Sequence, residues 1–360
     1  MGAALGGVNA ADRSSPYTRT VAVRAWLRRG HVWVGLGGTA LFLGLFFWQV
    51  DISHFWQAMK GADYIWAVPA VALWFLAAWA RSLRWGLILR PVAPLSLRAL
   101  YPVLVIGYMA NNLLPARLGE LIRAYILGER YGVGKVQALG TVAVERVTDG
   151  LTLVGLLAVG AMFVEMGGVV KALAWANLGL FLGGFLVLSA ALMKREAALR
   201  FMGLLARPLP APWRAKVVGA WDAFIGGLES LRSPGILIGA LCAGTVAWVL
   251  EAAMYYLVGK GFGLEGDPAL YLVLAGAANL AVALPSTSGG IGPFEWATQQ
   301  VMVGAQTSRG VAAAYAVALH GLLLIPVIIA GLAFLWATQL PVWATLEKEE
   351  VAQVRDRWAG

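Results

Sequence analysis

The residues with the clearest capacity for chemistry are three charges in one apolar stretch, Glu145, Arg146 and Asp149. Each charge at the centre of a membrane helix costs roughly 2.5–3.5 kcal/mol on insertion scales, so all three require partners. Glu145 and Asp149 are four residues apart and share a helix face, whereas Arg146 is expected to point elsewhere. We expect the two carboxylates to pair with one or more of three arginines, Arg81, Arg117 and Arg123. The cluster is either a structural ion-pair network or part of an ion or substrate pathway.

A second motif, Asn111 to Arg123, combines helix-breaking residues with charges. Pro115 removes a backbone donor and Gly119 relaxes the backbone, so we predict a broken helix whose freed groups bond to Asn111 and Asn112. The charges recur every third position on one helix face, as Arg117, Glu120 and Arg123. Because arginine presents a planar fork that matches phosphate, this basic stripe is predicted to bind an anionic headgroup. The alternative is a salt-bridged stripe that faces lipid headgroups.

A third polar motif occupies residues 284–295 and is preceded by Asn279. Its glycines and prolines exclude a continuous helix, and a helix beginning near Pro293 would direct free N–H groups at an anion. The residues assigned here to substrate binding are Asn279, Ser286, Ser288, Gly289, Gly290 and Glu295. The motif lacks the Lys-Ser/Thr of a nucleotide-binding loop. Its order of Asn, Leu-Pro, Gly and Glu repeats that of the second motif, which predicts a diverged inverted repeat.

Composition indicates what kind of protein positions these groups. Of 360 residues, 60% are hydrophobic and 13% are charged, whereas soluble domains carry about 25% charged residues. A membrane-spanning helix needs about 20 apolar residues. We therefore predict an all-α polytopic membrane protein with six full spans, at residues 31–50, 64–90, 138–164, 172–193, 234–258 and 310–339.

Loop charges predict the orientation, because cytoplasmic loops are enriched in Lys and Arg. Five arginines lie in the first 30 residues, and seven Lys or Arg lie in 194–233. Four more lie around the end of the second span and are counted with the loop that follows it, namely Arg81, Arg84, Arg90 and Arg98. Both termini and these loops are cytoplasmic only if 99–137 and 269–308 are re-entrant hairpins of opposite entry, whose tips must line a polar cavity. The alternative topology has eight full spans.

The expected organisation is a basic cytoplasmic tail at 1–30, a membrane domain at 31–340 and a cytoplasmic tail at 341–360, in a bacterial or archaeal inner membrane. Residues 195–232 alternate apolar and basic side chains, which predicts an interfacial amphipathic segment. The net charge of +9 is attributed to topology and anionic lipid, not to nucleic acid. Because Cys242 is single and the histidines are scattered, we expect no disulfide, metal or cofactor.

These motifs resemble the lysylphosphatidylglycerol synthase transmembrane-region family, also described as the flippase-like or UPF0104 membrane domain. The resemblance rests on residues 112–123, 141–149 and 284–295, in that order, and extends over residues 30–340. It implies a lipid-translocating domain, with relatives associated with aminoacyl-phospholipids, hopanoids or polyprenyl-linked sugars. Bifunctional relatives carry a soluble aminoacyl-transferase domain after the membrane region. Since residues 341–360 alone follow the last predicted span, we expect no lysyl transfer.

We therefore predict a lipid flippase or transporter rather than an enzyme. It would move an anionic or phosphate-bearing lipid, of phospholipid, hopanoid or polyprenyl-phosphate type, with Arg117 holding the phosphate. Movement would be downhill or ion-coupled, with candidate proton carriers Glu120, Glu145, Asp149 and Glu295. The alternatives are a membrane transferase on a lipid-linked substrate and a non-catalytic subunit of a separate lipid synthase. The expected partners are membrane lipids with an anionic headgroup, and a second copy of the chain or a lipid synthase is a candidate protein partner.

Overall fold

In the computed structural model, the described residues are 30–48, 50–114, 118–165, 167–264, 266–284 and 286–338, and none of them forms a strand. Their helices are α1 (Gly30–Phe47), α2 (Ile52–Gly61), α3 (Ala67–Leu89), α4 (Leu97–Leu113), α5 (Gly119–Tyr131), α6 (Lys135–Gly160), α7 (Gly168–Met193), α8 (Arg195–Leu205), α9 (Ala211–Gly226), α10 (Pro234–Gly261), α11 (Pro268–Ala281), α12 (Pro293–Gly304) and α13 (Arg309–Thr338). Short 3-10 turns precede α3, α10 and α12, at Tyr64–Trp66, Glu229–Arg232 and Ser288–Gly290. This part of the chain is all-α, as the sequence predicts.

Four helical segments are long and apolar enough to cross a membrane, and each coincides with a predicted span. They are Tyr64–Leu89, Val170–Met193, Pro234–Gly261 and Arg309–Thr338. Leu36–Phe47 and Ile52–Gly61 give a fifth candidate, as a pair bent by 87°. The remaining predicted span, 138–164, lies in the 26-residue α6 up to Gly160, where the helix ends, and the central charges of α6 distinguish it from an ordinary apolar span. Among the described residues, length and composition thus support four to five spans.

Two broken helix pairs occupy corresponding places in the chain. α4 and α5 are interrupted at residues 114–118, and α11 and α12 are interrupted at 282–292. Each pair follows one long helix, α3 or α10, and precedes another, α6 or α13. α3 packs along α10, α4 packs along α13, and α6 packs along α11. Exchanging the two halves of the chain therefore leaves this pattern of helix contacts unchanged.

The first hairpin closes because two glycines allow its arms to touch. A methyl group on Gly119 would lie 2.0 Å from the carbonyl oxygen of Gly107. Asn111 accepts a hydrogen bond of 2.8 Å from the Gly119 N–H, and its amide donates to Glu120 at 3.3 Å. Asn111 thus satisfies a backbone group freed by the break, as predicted. Residues 115–117, which include Arg117, lie outside the described residues.

Gly119→Ala is expected to destabilise the protein by about 1–3 kcal/mol, because the added methyl group forces the two arms apart. The measurement is the free energy of unfolding in mixed micelles. Gly155→Ala in α6 is the matched control, since no neighbouring atom lies within 4 Å of the added methyl group and alanine favours a helix. Equal stability of the two variants would contradict the close-approach explanation.

The break in the second hairpin depends on glycines with positive φ. Gly289, Gly290 and Gly292 have φ values of 75°, 77° and 100°, which residues with a β-carbon rarely adopt. α12 begins directly after Gly292, as the sequence predicts, and Glu295 accepts a hydrogen bond of 2.7 Å from the Gly292 N–H. Residues 286–292 are called the tip loop below.

The predicted amphipathic segment, 195–232, forms α8, α9 and a 3-10 turn that pack beside the membrane helices. Ile225 and Leu228 are fully buried in a cluster with residues of α3, α6, α7 and α10. Arg195 donates a hydrogen bond of 2.8 Å to Asp222. This bond joins α8 to α9 and lowers the pKa of the Asp222 carboxyl group.

Candidate functional site

A cavity of about 430 Å³ lies between the two interrupted helix pairs, α4–α5 and α11–α12, and the long helices α3, α6, α10 and α13. Its volume is within the range of small-molecule sites, roughly 300–1,000 Å³. The first half of the chain contributes to its polar lining Arg81, Asn111, Asn112, Glu120, Arg146 and Asp149. The second half contributes Glu251, Asn279, Gly289, Gly290 and His320. Both halves therefore build one site.

Glu145 is the centre of a buried ion-pair network behind the cavity. The carboxylate is fully buried, and it lies 2.5 Å from Arg123 and 3.0 Å from Arg84. Arg123 also stacks on Trp85, with its guanidinium carbon 3.9 Å from the ring centre, a geometry that favours cation–π attraction. Each arginine is 1% exposed. Two buried guanidinium groups from α3 and α5 thus share one carboxylate on α6.

Asp149 connects this network to the cavity. Arg84 bonds to both carboxylate oxygens of Asp149, one of them at 3.2 Å, and the Trp248 indole donates to it at 2.6 Å. Arg81 lies over the same indole at 4.5 Å and forms an ion pair with Glu251. The two arginines of α3 therefore hold the carboxylates of α6 and α10 in place.

Arg146 is a cavity-lining arginine with unsaturated hydrogen-bond donors. Its nitrogens lie 3.5 Å from Glu120, 3.8 Å from Asp149 and 4.0 Å from Glu145, all longer than an ordinary hydrogen bond. Nε and Nη2 have no hydrogen-bond partner among the described residues, and 38% of the side chain is exposed. The prediction that Arg146 points away from Glu145 and Asp149 is wrong for Asp149, which lies three residues along α6 and is its neighbour on the helix surface.

The arginines of this network and the carboxylates that they contact are equal in number. The cations are Arg81, Arg84, Arg123 and Arg146, and the carboxylates are Glu120, Glu145, Asp149 and Glu251. Two residues of the predicted basic stripe have different environments, since Glu120 lines the cavity and Arg123 is buried behind it. The third, Arg117, lies outside the described residues.

Asn279 organises a polar cluster in the second half of the chain. Its amide donates to Glu251 at 3.2 Å and to the Tyr255 hydroxyl at 2.9 Å. That hydroxyl donates to Glu251 at 3.0 Å. Glu251 is therefore bound by a neutral amide, a phenol and one arginine.

Glu295 and His320 form a close pair beside the tip loop. The His320 Nδ1 lies 2.5 Å from the Glu295 carboxylate, and Nε2 lies 3.0 Å from the Gly289 carbonyl oxygen. The two side chains are 9% and 6% exposed, respectively. His320 lines the cavity, and Glu295 lies behind it.

The structure divides the predicted site residues by location. At the cavity surface are Asn111, Asn112, Glu120, Arg146, Asp149, Asn279, Gly289 and Gly290. Behind that surface, in buried ion pairs, are Arg123, Glu145 and Glu295. Ser286 and Ser288 are half-buried in the tip loop and do not line the cavity.

Sequence reasoning missed several residues of this site. The assignment of Arg81 and Arg84 to a cytoplasmic loop is wrong, because they lie within α3 and are 4% and 1% exposed. Glu251 and His320 each interrupt an apolar span. The rule that an ionisable residue inside a membrane helix marks a functional site would have identified both. No group of three or more His, Cys, Asp or Glu side chains suited to a metal ion occurs in the described ranges.

Comparison with protein families gives one match over most of the chain. The matching family is described as the lysylphosphatidylglycerol synthase TM region, and the match covers residues 32–331. No solved structure matches the chain.

Two relatives carry descriptions of their own. The chain is 28% identical to "Glycosyltransferase AglD" of Haloferax volcanii over 92% of its own length, and spans 58% of the length of that protein. It is 24% identical to a "UPF0104 membrane protein" of Methanothermobacter thermautotrophicus, over 66% of this chain and 75% of the relative.

Proposed function

From the fact that the chain belongs to the family of the lysylphosphatidylglycerol synthase TM region, we propose that it moves a phosphate-bearing lipid headgroup across the membrane through the cavity between its hairpins. The acyl chains remain in the bilayer. The observation that carries this proposal is Arg146, whose unsaturated guanidinium lies at a polar cavity inside a multi-pass helical protein.

The distances around Arg146 suit a guanidinium that exchanges its carboxylate neighbours for the phosphate of a bound lipid. Three carboxylates neutralise the guanidinium from 3.5–4.0 Å, without hydrogen bonds. A phosphate oxygen can form charge-assisted hydrogen bonds with the same donors, which are roughly twice as strong as neutral ones. Glu120 keeps 21% of its side chain exposed, so it can be hydrated when phosphate replaces it. Asn111, Asn112 and Asn279 supply further amide groups at the cavity surface.

Arg84, Arg123 and Glu145 act in this proposal as positioning residues. They are sealed from the cavity and fix the part of α6 that carries Arg146 and Asp149. Ionisable groups at membrane depth are tolerated where they pair with one another. The network therefore orients the groups that meet the lipid without touching it.

The two broken hairpins are proposed to form an inverted repeat, with opposite entry from the two faces of the inner membrane and cytoplasmic termini. The exchange symmetry of the helix contacts supports the repeat. Glu120 and Glu295 lie in the first turns of α5 and α12 and face a basic residue of the next helix, Arg146 or His320. In transporters, such repeats permit alternating access to a site near the bilayer midplane.

A liposome assay tests the proposal. The purified protein is reconstituted with phosphatidylglycerol that carries an NBD fluorophore on one acyl chain, and dithionite then bleaches the fluorophores of the outer leaflet. We expect the fluorescence of the inner leaflet to be lost as well, while mass spectrometry recovers the lipid unchanged. Protection of the inner leaflet at the level of protein-free liposomes would contradict the proposal for this lipid class.

The transferase alternative is supported by the similarity of the chain to "Glycosyltransferase AglD". It predicts a covalent product when the liposomes contain a polyprenyl-phosphate sugar and an acceptor lipid. A new lipid mass without dithionite access to the inner leaflet would favour this alternative over transport.

A further inference from the structure

The Glu295–His320 pair faces more acceptors than a neutral histidine can satisfy. One ring nitrogen meets the Glu295 carboxylate at 2.5 Å, and the other meets the Gly289 carbonyl oxygen at 3.0 Å. A carbonyl and an ionised carboxylate only accept, and a neutral imidazole has a single N–H. Both contacts are hydrogen bonds only when the pair holds one additional proton. That proton resides on the imidazole beside a carboxylate, or on the carboxyl group beside a neutral imidazole.

We propose that Glu295 and His320 form a proton-binding site that fastens the tip loop to α13, and that loss of the proton to cavity water weakens this attachment. In the protonated pair, His320 donates to Gly289, and Glu295 accepts from Gly292 at 2.7 Å, so the pair holds the loop at two points. Thr39 of α1 holds the loop separately, because it accepts from the Thr287 N–H at 2.8 Å and lies 3.1 Å from the Ile291 carbonyl oxygen. After deprotonation the imidazole donates in one direction only. If it keeps its bond to Glu295, its free lone pair faces the Gly289 carbonyl oxygen and repels it.

The loop held by this site forms part of the cavity surface. Gly289 and Gly290 line the cavity together with His320, so movement of the tip loop changes access to the cavity. The role of this proton as the coupling ion for lipid movement rests on the proposed function. The effect of the proton on the tip loop is independent of whether the protein moves lipid.

Other ionisable groups line the same cavity on five helices. The ionisable groups that line the same cavity are Arg81 on α3, Tyr108 on α4, Glu120 on α5, Arg146 and Asp149 on α6, and Glu251 on α10. The Tyr255 ring of α10 lies 6.3 Å from Phe294, which stacks on His320 at 4.4 Å. Arg81 pairs with Glu251, to which Tyr255 donates. α11 contributes only Asn279 and Leu280 to the lining, and α1 and α2 contribute none of the described lining residues.

A buried polar stripe continues from the pair along α12. Thr298 and Gln299 follow Glu295 by three and four residues, so the three side chains lie on one helix face. Both are fully buried. The Thr298 hydroxyl and both amide atoms of Gln299 have no hydrogen-bond partner among the described residues, so the stripe beside Glu295 is polar and uncharged.

Cysteine labelling measures the position of the tip loop without any transport. The native Cys242, which is exposed on α10, is first removed as Cys242→Ser. Ser286→Cys then reports on the tip loop, and Ser308→Cys, at an exposed position directly before α13, is the control. The control is needed because maleimide reacts with the thiolate, whose fraction rises with pH at any cysteine. Rates are measured from about pH 5 to about pH 9, the range around histidine titration.

We expect the labelling rate at the tip loop, divided by that of the control, to increase roughly 3- to 10-fold with pH, as expected for loss of one hydrogen bond. A ratio that stays constant with pH would overturn the proposal. This comparison leaves Glu295 and His320 unaltered, so it tests the proposal even if variants of the pair fail to fold.

Substitutions of the two residues of the pair are expected to have opposite effects on the labelling rate. In Glu295→Gln the amide N–H donates to His320, which then donates to Gly289, while the amide oxygen still accepts from Gly292. This variant imitates the protonated pair and should label slowly at every pH. His320→Leu removes the link to Gly289 and should label rapidly at every pH. Rapid labelling of a folded Glu295→Gln variant would contradict the proton-binding role.

The labelling assay tests the proton site and the liposome assay tests lipid movement, so either proposal can be refuted without the other. A pH-dependent loop in a protein that moves no lipid would refute the proposed function and support the proton site. Lipid movement with a pH-independent loop would do the reverse.

Discussion

Glu145→Gln is expected to lower the free energy of unfolding by about 3–5 kcal/mol, the range found when one partner of a buried ion pair is removed. Glu145 is fully buried between Arg84 and Arg123, each of which is 1% exposed. Glutamine has nearly the same shape but leaves two buried guanidinium groups with less negative charge. The measurement is unfolding in mixed micelles, followed by circular dichroism.

Glu196→Gln is the matched control for this prediction. Glu196 also pairs with an arginine, Arg200, but the two side chains are 88% and 82% exposed. Pairs of this kind contribute roughly 0–1 kcal/mol, so the control should unfold nearly as the unaltered protein does. Similar losses in both variants would contradict the sealed network behind the cavity.

Arg146→Gln is expected to slow lipid movement by a factor of about 10–100 while the protein remains folded. The factor corresponds to the loss of a hydrogen bond to a charged group, about 1.5–3 kcal/mol. Folding should persist because Arg146 forms no short ion pair: its carboxylate neighbours lie 3.5–4.0 Å away. The dithionite assay measures transport, and micelle unfolding measures stability.

Arg200→Gln is the matched control for the transport prediction, because Arg200 lies on α8, exposed and outside the cavity lining. Its transport rate should equal that of the unaltered protein. If Arg146→Gln transports at the full rate, or if it unfolds, then Arg146 is not the headgroup ligand. Arg117, which lies outside the described residues, would then be the next arginine to test in the same way.

The breaks in the helices could be predicted from the sequence because their causes are local. The glycines of the tip loop adopt positive φ, and α12 begins directly after Gly292 as Pro293 predicts. Asn111 accepts a hydrogen bond from the N–H of Gly119, which lies eight residues further along the chain. Such features depend on a few neighbouring residues, whose conformational preferences are known.

The sequence predicts the pairing of Glu145 with Arg123, which the structure contains. The partners of Arg81 and Arg84 could not be predicted in the same way, because they come from distant parts of the chain. Arg81 pairs with Glu251, 170 residues away, and Arg84 pairs with Asp149, 65 residues away. Arginines close to a helix end match the positive-inside pattern and also match a buried pair. Only the packing of α3 against α6 and α10 distinguishes the two explanations. The remaining loop charges still support the proposed orientation.

Photocrosslinking of a lipid headgroup tests the central claim most directly. The protein is reconstituted with phosphatidylglycerol that carries a small diazirine on its headgroup, illuminated, and digested for mass spectrometry of the adducts. We predict adducts on the peptides of α4, α6 and α10 that line the cavity, and weaker adducts there in Arg146→Gln. Adducts confined to bilayer-facing positions such as Val187 of α7, which is 67% exposed, would contradict passage of the headgroup through the cavity.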